Sequence, residues 1–388
     1  MTAEPHRRLA VAVAVLSVAV AACAAPTFEP AGQGTPPPAT QPPSTTPPTP
    51  APTATATTPT TVTPPATTTG GTFTPTFLLD NAFADLGITG IGPDLSPNPA
   101  AVAGRTLWTD PEGGTQTKTF VVAPDGSHRV ETTGERTELL VHDAATMTTE
   151  YWDPELALVI DGLPTAGPDA VEAFPSAFGL RAVEWLSAGN GEPVTFDGVE
   201  AVRVVLPPPD PEEAEEFDGP LGPTTVIYEA GTGFPLLVDR PDLHVETTAL
   251  IGLTAAEIDP AWFRLDLPDD IITDRNRREW RRGTLSDLPP ALTGVTVPGM
   301  ELTDVFVADD GRVVASFRSG FHRVDVTWIP EALDRGYDPY KPDRPLPDPG
   351  HSQTVTDDFG IRILHRLSEG LVVVTGTDPD LVTAADIP

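Results

Sequence analysis

From residue 76 to the C-terminus, apolar positions fall in short runs of about four to eight residues separated by turn residues, which is strand spacing and not helix spacing. The stretch GTQTKTFVVAPDGSHRVET predicts two strands joined at Pro124-Asp125-Gly126, because Pro presets φ for a turn and Gly accepts a positive φ. RTELLVHDAATMTTEYWDP predicts a second pair, turning at His142–Thr146. VEAVRVVLPPP and TTVIYEAGTGFPLLVDRPDLHVETTAL add further strands, with a turn at Ala230-Gly231-Thr232-Gly233. Helical patterning is scarce and centres on Phe77–Leu86 and Val171–Leu186. Beyond Leu285, strands pair around Asp309-Asp310-Gly311 and Ser319-Gly320, and a last strand spans Leu371–Thr375. DPDLVTAAD then reads as the start of a short helix, with Asp378 as its N-cap and Pro379 at its first position. The pattern predicts an α+β fold, an antiparallel meander with a few helices.

The N-terminal fifth has a different pattern. Arg7 and Arg8 precede an uncharged apolar run from Leu9 to Ala22, the arrangement of a secretory signal. The run is shorter than the ~20 residues a spanning helix needs. It ends in Val20-Ala21-Ala22-Cys23, which resembles a lipobox with Val in place of the usual Leu. Residues 1–22 are therefore expected to be a lipoprotein signal peptide, with Cys23 the lipidated N-terminus of the exported chain. Each buried CH₂ of an acyl chain contributes ~0.8 kcal/mol, so two or three chains hold a protein on a membrane. Residues 23–75, almost wholly Pro, Thr, Ala and Gly, have too little apolar surface to offset ordering entropy and read as a disordered tether. Its full reach is on the order of 150 Å.

Composition narrows the partners. The formal net charge is −33, with 23 Lys+Arg against 56 Asp+Glu. Nucleic-acid binding needs clustered cations, so it is not expected. Anionic headgroups are repelled too, which leaves the lipid as the means of membrane attachment. Cys23 is the only cysteine, so no disulfide staples the exported body. The acidic stretch Pro207–Pro223 lacks the regular spacing and Gly of a calcium loop and reads as a solvated insertion. One basic cluster, Arg275, Arg277, Arg278, Arg281 and Arg282, falls near a domain boundary. It reads either as a solvated helix between domains, paired with nearby acids, or as a docking patch for an acidic partner.

Catalytic signatures are missing where an enzyme would carry them: there is no GxSxG, Walker A, HExxH or GxGxxG. The histidines have no metal-ligand spacing, so no metal, cofactor or catalytic residue is assigned. A cell-wall hydrolase with two dispersed carboxylates is the remaining enzymatic reading. The strands do carry large apolar residues: Trp108, Phe120, Val122, Leu140, Trp152, Val204, Val226 and Phe234. On the concave face of a curved sheet they would either fill a core or line an acyl-chain cavity.

The order of segments resembles the LolA-like lipoprotein-carrier superfamily, most of all the RseB/MucB sigma-factor regulators. The residues that carry the resemblance are FLLDNAFADL, the two strand pairs quoted above, FDGVEAVRVVLPP (Phe196–Pro208), VIYEAGTGFPLLVD (Val226–Asp239) and IDPAWFRLDLPDD (Ile258–Asp270). RVVASFRSGFHRVDVTWIP and GLVVVTGTDPDLVTAAD resemble the small C-terminal domain of those regulators. The resemblance implies an antiparallel half-barrel covered by a few helices over residues 76–272, a basic linker over 273–284 and a smaller α+β domain over 285–388. It further implies lipid or lipoprotein acyl chains, and a membrane-anchored anti-sigma factor, as partners of a non-enzymatic protein on the outer face of the cytoplasmic membrane. The alternative is a structural or adhesive surface lipoprotein with a packed half-barrel.

Overall fold

The computed structural model describes residues 73–92, 99–164, 173–180, 191–208, 222–330, 345–357, 360–376 and 379–387. The signal, Cys23, nearly all of the tether, the centre of the acidic insertion and Asp378 lie outside the described residues. Those from Pro75 onward belong to one unit.

Two antiparallel meanders make the first sheet. One runs β1 (Ala101–Thr109), β2 (Thr115–Val122), β3 (His128–Gly134), β4 (Glu138–Asp143), β5 (Thr148–Trp152), β6 (Ala157–Asp161). The other runs β7 (Glu192–Phe196), β8 (Val199–Leu206), β9 (Thr224–Glu229), β10 (Pro235–Arg240), β11 (Leu243–Leu253). β11 pairs with β1 and joins them, and β12 (Asp274–Arg277) adds in parallel to β6. The twelve strands follow the order β12-β6-β5-β4-β3-β2-β1-β11-β10-β9-β8-β7 and do not close into a barrel. The turn expected at Pro124-Asp125-Gly126 joins β2 to β3: Gly126 takes φ 90° and the Asp125 carboxylate accepts from the Ser127 N–H at 2.8 Å.

Helix α1 (Leu79–Asp85) lies on one face of this sheet, where Leu79 and Phe83 pack on Ala101, Ala103 and Val121. The small alanines let the helix approach closely. Its first turn is held by Glu131, whose carboxylate accepts from the Leu78 and Leu79 N–H groups at 2.8 and 3.1 Å. Glu131 is itself paired with Arg129 at 2.5 Å, both side chains almost wholly buried. The opposite face carries helix α2 (Ala173–Phe178) and the larger core cluster. With both faces covered, β2, β3 and β4 are buried almost residue by residue and do not alternate with solvent.

The second sheet comprises β13 (Trp280–Arg282), β14 (Glu301–Ala308), β15 (Val313–Ser319), β16 (His322–Pro330), β17 (Ser352–Asp357), β18 (Gly360–Arg366) and β19 (Gly370–Gly376), ordered β13-β14-β15-β16-β19-β18-β17. Helix α3 (Pro379–Ala384) buries Val382 in a core with Val324, Val326, Trp328 and Val372. The architecture is α+β, dominated by strands.

The basic segment is not a helix. Arg275 and Arg277 sit on β12, at the edge of the first sheet, while Arg281 and Arg282 sit on β13, at the edge of the second. Backbone pairing at two sheet edges outweighs the helical reading, because the segment has no apolar stripe to bury as a helix. Three of its charges pair with nearby acids. Arg275 reaches Asp269 at 2.9 Å and Asp161 at 3.6 Å, and Arg281 reaches Asp287 at 3.0 Å. Arg282 pairs with Asp304 and donates to the Ala144 carbonyl at 2.7 Å.

Candidate functional site

Period-two alternation places Val102 of β1, Phe120 and Val122 of β2, Val130 of β3 and Leu140 of β4 on one face of the first sheet. Gly104, opposite Phe120 in the β1–β2 register, is what lets that ring lie flat across β1. A Cβ there would stand 2.4 Å from Phe120 Cζ and 2.9 Å from the Ala249 carbonyl oxygen. Val226 of β9 and Phe234 of the β9–β10 turn complete the face from the other meander.

The rings form a continuous seam. Phe120 meets Phe178 of α2 edge-on at 5.1 Å and lies parallel to Phe234 at 6.2 Å, and Phe178 meets Phe234 at 6.5 Å. All three rings are fully buried. A fourth ring comes from the second sheet: Phe321, in the β15–β16 turn, stands edge-on to Phe234 at 5.4 Å and is 7% exposed. Burial of each such ring contributes ~2–3 kcal/mol. Just before this turn, Arg318 donates to the Pro124 carbonyl at 3.0 Å, and at the other end of β15 Met147 packs with Phe306 and Val314.

Helix α2 is tied over the seam through its carbonyls. The Ala177 oxygen accepts from Thr106 Oγ1 at 3.0 Å and Trp108 Nε1 at 2.9 Å, and the Ser176 oxygen accepts from Lys118 Nζ at 2.7 Å. Lys118 Nζ also lies 3.5 Å from the centroid of the Trp108 ring. Burial pushes the Lys118 ammonium down to about 8; Glu138 opposes the shift and Arg136 adds to it. Nearby, burial raises the Tyr151 hydroxyl above its ordinary range, reinforced by Glu138 and by Asp153, which accepts its hydrogen bond at 3.0 Å.

Of the eight residues expected to face the cavity, Phe120, Val122, Leu140, Val226 and Phe234 meet in this seam, and Trp108 packs against it. Val204 lies on β8 directly opposite Val226. Trp152 departs from the expectation: its cross-strand partner is Leu139, so it turns to the face opposite Leu140 and Tyr151. The five arginines do not converge on the seam; they follow the two sheet edges, with Arg277 exposed and Arg278 half-buried. Arg281, with Thr284, holds the Asp287 carboxyl down to about 2. Lys118 and Phe321 were not among the expected site residues. Among the described residues no group of His, Cys, Asp or Glu is arranged to hold a metal, and no helix is long and apolar enough to cross a membrane.

No protein-family model matches the chain, and no curated protein matches it. Among solved structures it is similar to the crystal structure of MucB, at 15% identity and a TM-score of 0.24 over 80% of this chain and 98% of that one. It is also similar to the complex structure of MucA/MucB from Pseudomonas aeruginosa, at 16% identity and a TM-score of 0.23 over 74% of this chain and 93% of that one.

Proposed function

We propose that the chain is a non-enzymatic, lipid-anchored protein of the outer face of the cytoplasmic membrane, held there through Cys23. The first sheet is read as a LolA-like half-barrel whose aromatic seam takes up an acyl chain or an apolar peptide. The partner in this reading is a membrane-anchored anti-sigma factor, which the sequence resemblance suggests and which the second sheet helps to recognise. The observation that carries the reading is the origin of Phe321. The seam is completed by a ring that belongs to a turn of the other sheet, and withdrawing that turn opens apolar space beside Phe234 without unpairing a strand of either sheet.

The filled interior supports a second reading, a structural or adhesive lipoprotein whose seam is permanently packed. One experiment separates the two. Cys23 is the only cysteine, so a Cys23→Ser, Phe321→Cys chain carries one reportable thiol. Under the binding reading, palmitate displaces the turn and thiol modification at position 321 rises by about tenfold or more, since a tenfold change needs only ~1.4 kcal/mol of differential binding. A rate unmoved by saturating palmitate and by apolar peptides supports the packed alternative. Labelling of the exported wild-type chain by palmitate, lost in Cys23→Ser, tests the anchor separately.

A further inference from the structure

We infer that the polar pocket beside Trp108 is a binding site for a free amino acid, whose carboxylate is received by Lys118 and whose ammonium is received by Asp110 and Glu135. The inference stands apart from the acyl-chain reading. Its cavity is about 270 Å³, and its charged walls are Asp110, Lys118, Glu135, Arg136 and Glu138 beside Trp108. That is at or below the lower end of small-molecule sites, a size for one amino acid and not for an acyl chain.

The floor is cationic and short of acceptors. Lys118 is 7% exposed, and an ammonium carries three donors. The Ser176 carbonyl takes one and the Trp108 ring faces the nitrogen from 3.5 Å, which leaves donor capacity for the cavity that Lys118 lines. A buried ammonium is stabilised by an anion delivered to it, because desolvation is what disfavours its charge.

The rim is anionic and convergent. Asp110 accepts from the Gly114 N–H at 2.7 Å. Its other oxygen and one oxygen of Glu135 lie close together over Gly114, 2.5 and 2.7 Å from where a Cβ on that residue would stand, and both side chains line the cavity. Two neighbouring carboxylates repel each other, and an ammonium bridging them from the cavity relieves the repulsion while donating to both. Glu138 and Arg136, 4.0 Å apart, flank the opening. A simple anion meets the repelling rim, and a simple amine leaves Lys118 unmatched. A zwitterion satisfies both ends.

Calorimetric titration of the full chain with glycine and with phenylalanine tests this, against acetate and methylammonium as half-ligands. The amino acids are expected to bind about tenfold or more tightly than either half-ligand. Glu135→Gln, on an exposed turn side chain, is expected to weaken them by about tenfold with unchanged melting temperature. At a pH of about 8.5, carboxylate binding draws a proton onto Lys118, read as a dependence of the observed heat on buffer ionisation enthalpy. Lys118→Arg is expected to bind without that dependence. If Lys118 variants fail to fold, Glu135→Gln and the two-buffer measurement on the wild type still decide. Equal affinity for acetate, no saturable heat with either amino acid, or a Glu135→Gln titration identical to wild type overturns the proposal.

Discussion

Phe321 and Phe234 meet edge-on, ring centroids 5.4 Å apart and planes 86° from each other, although one belongs to the second sheet and the other to the first. The contact makes the second sheet part of the first sheet's core. The packing of the seam therefore depends on where the β15–β16 turn sits, and the first sheet alone would leave Phe234 short of a neighbour.

Phe321→Ala is expected to destabilise the chain by about 3 kcal/mol, the lower range for a large-to-small change in a packed core, with Phe321→Leu costing less. Urea unfolding of the full chain measures it. A Phe321→Ala midpoint equal to wild type would show that the ring contributes nothing to the seam.

Arg129 and Glu131 predict an asymmetry. Glu131 takes the Arg129 guanidinium and two N–H groups of α1, while Arg129 also donates to the Thr76 carbonyl at 2.7 Å. Removing one partner of a buried pair leaves the other charge uncompensated, so Glu131→Gln is expected to cost about 3–5 kcal/mol. Arg129→Met with Glu131→Gln together is expected to cost less than Glu131→Gln alone. A double variant as unstable as the sum of the singles refutes this, and the double-mutant cycle in urea reads it directly.

Local chemistry was legible in the sequence, and long-range packing was not. Pro124-Asp125-Gly126 announces its turn because φ preferences and an Asp side-chain acceptor act within three residues. Phe120, Val122 and Leu140 were readable by alternation, which fixes a face once the strand is known. Trp152 failed by one position: the β4–β5 register, not its composition, sets the side it takes. Phe321 has no local signal, because its neighbour Phe234 lies far along the chain and in another sheet. Lys118 has no local signal either, because the Ser176 carbonyl that receives its ammonium is brought over it by α2 from far along the chain. The arginine-rich segment looked helical for want of any alternating apolar partner, yet two sheet edges supplied the backbone pairing that decides it.

Lys118 also predicts a rise in stability in alkali. Its folded pKa, about 8, lies below the ordinary 10.5, so between these values the native state has released a proton that the unfolded chain keeps. Stability then increases with pH across that window, by up to about 3 kcal/mol. Tyr151 acts in the opposite sense, because its raised pKa keeps the native hydroxyl protonated above pH 10 while the unfolded one ionises. Denaturant unfolding at intervals from pH 7 to 10 is expected to show the rise in wild type and to lose it in Lys118→Met. An identical slope in the two chains contradicts the assignment.

His142 predicts the acid limb. Its ring is wholly buried, stacked 5.5 Å from His128, and hydrogen-bonded through Nδ1 to Thr149 Oγ1 at 2.8 Å. Burial first, then the neighbouring His128 and the Arg282 guanidinium, hold its pKa well below 6.5. As pH falls through 6.5 the unfolded imidazole takes a proton that the native one refuses, so stability is lost with acidification at up to about 1.4 kcal/mol per pH unit. His142→Gln retains polar groups for Thr149 and cannot titrate. Between pH 6.5 and 5.5 the wild type is therefore expected to lose about 1 kcal/mol more than His142→Gln in urea unfolding. Equal losses would mean that the native ring accepts the proton as readily as the unfolded one.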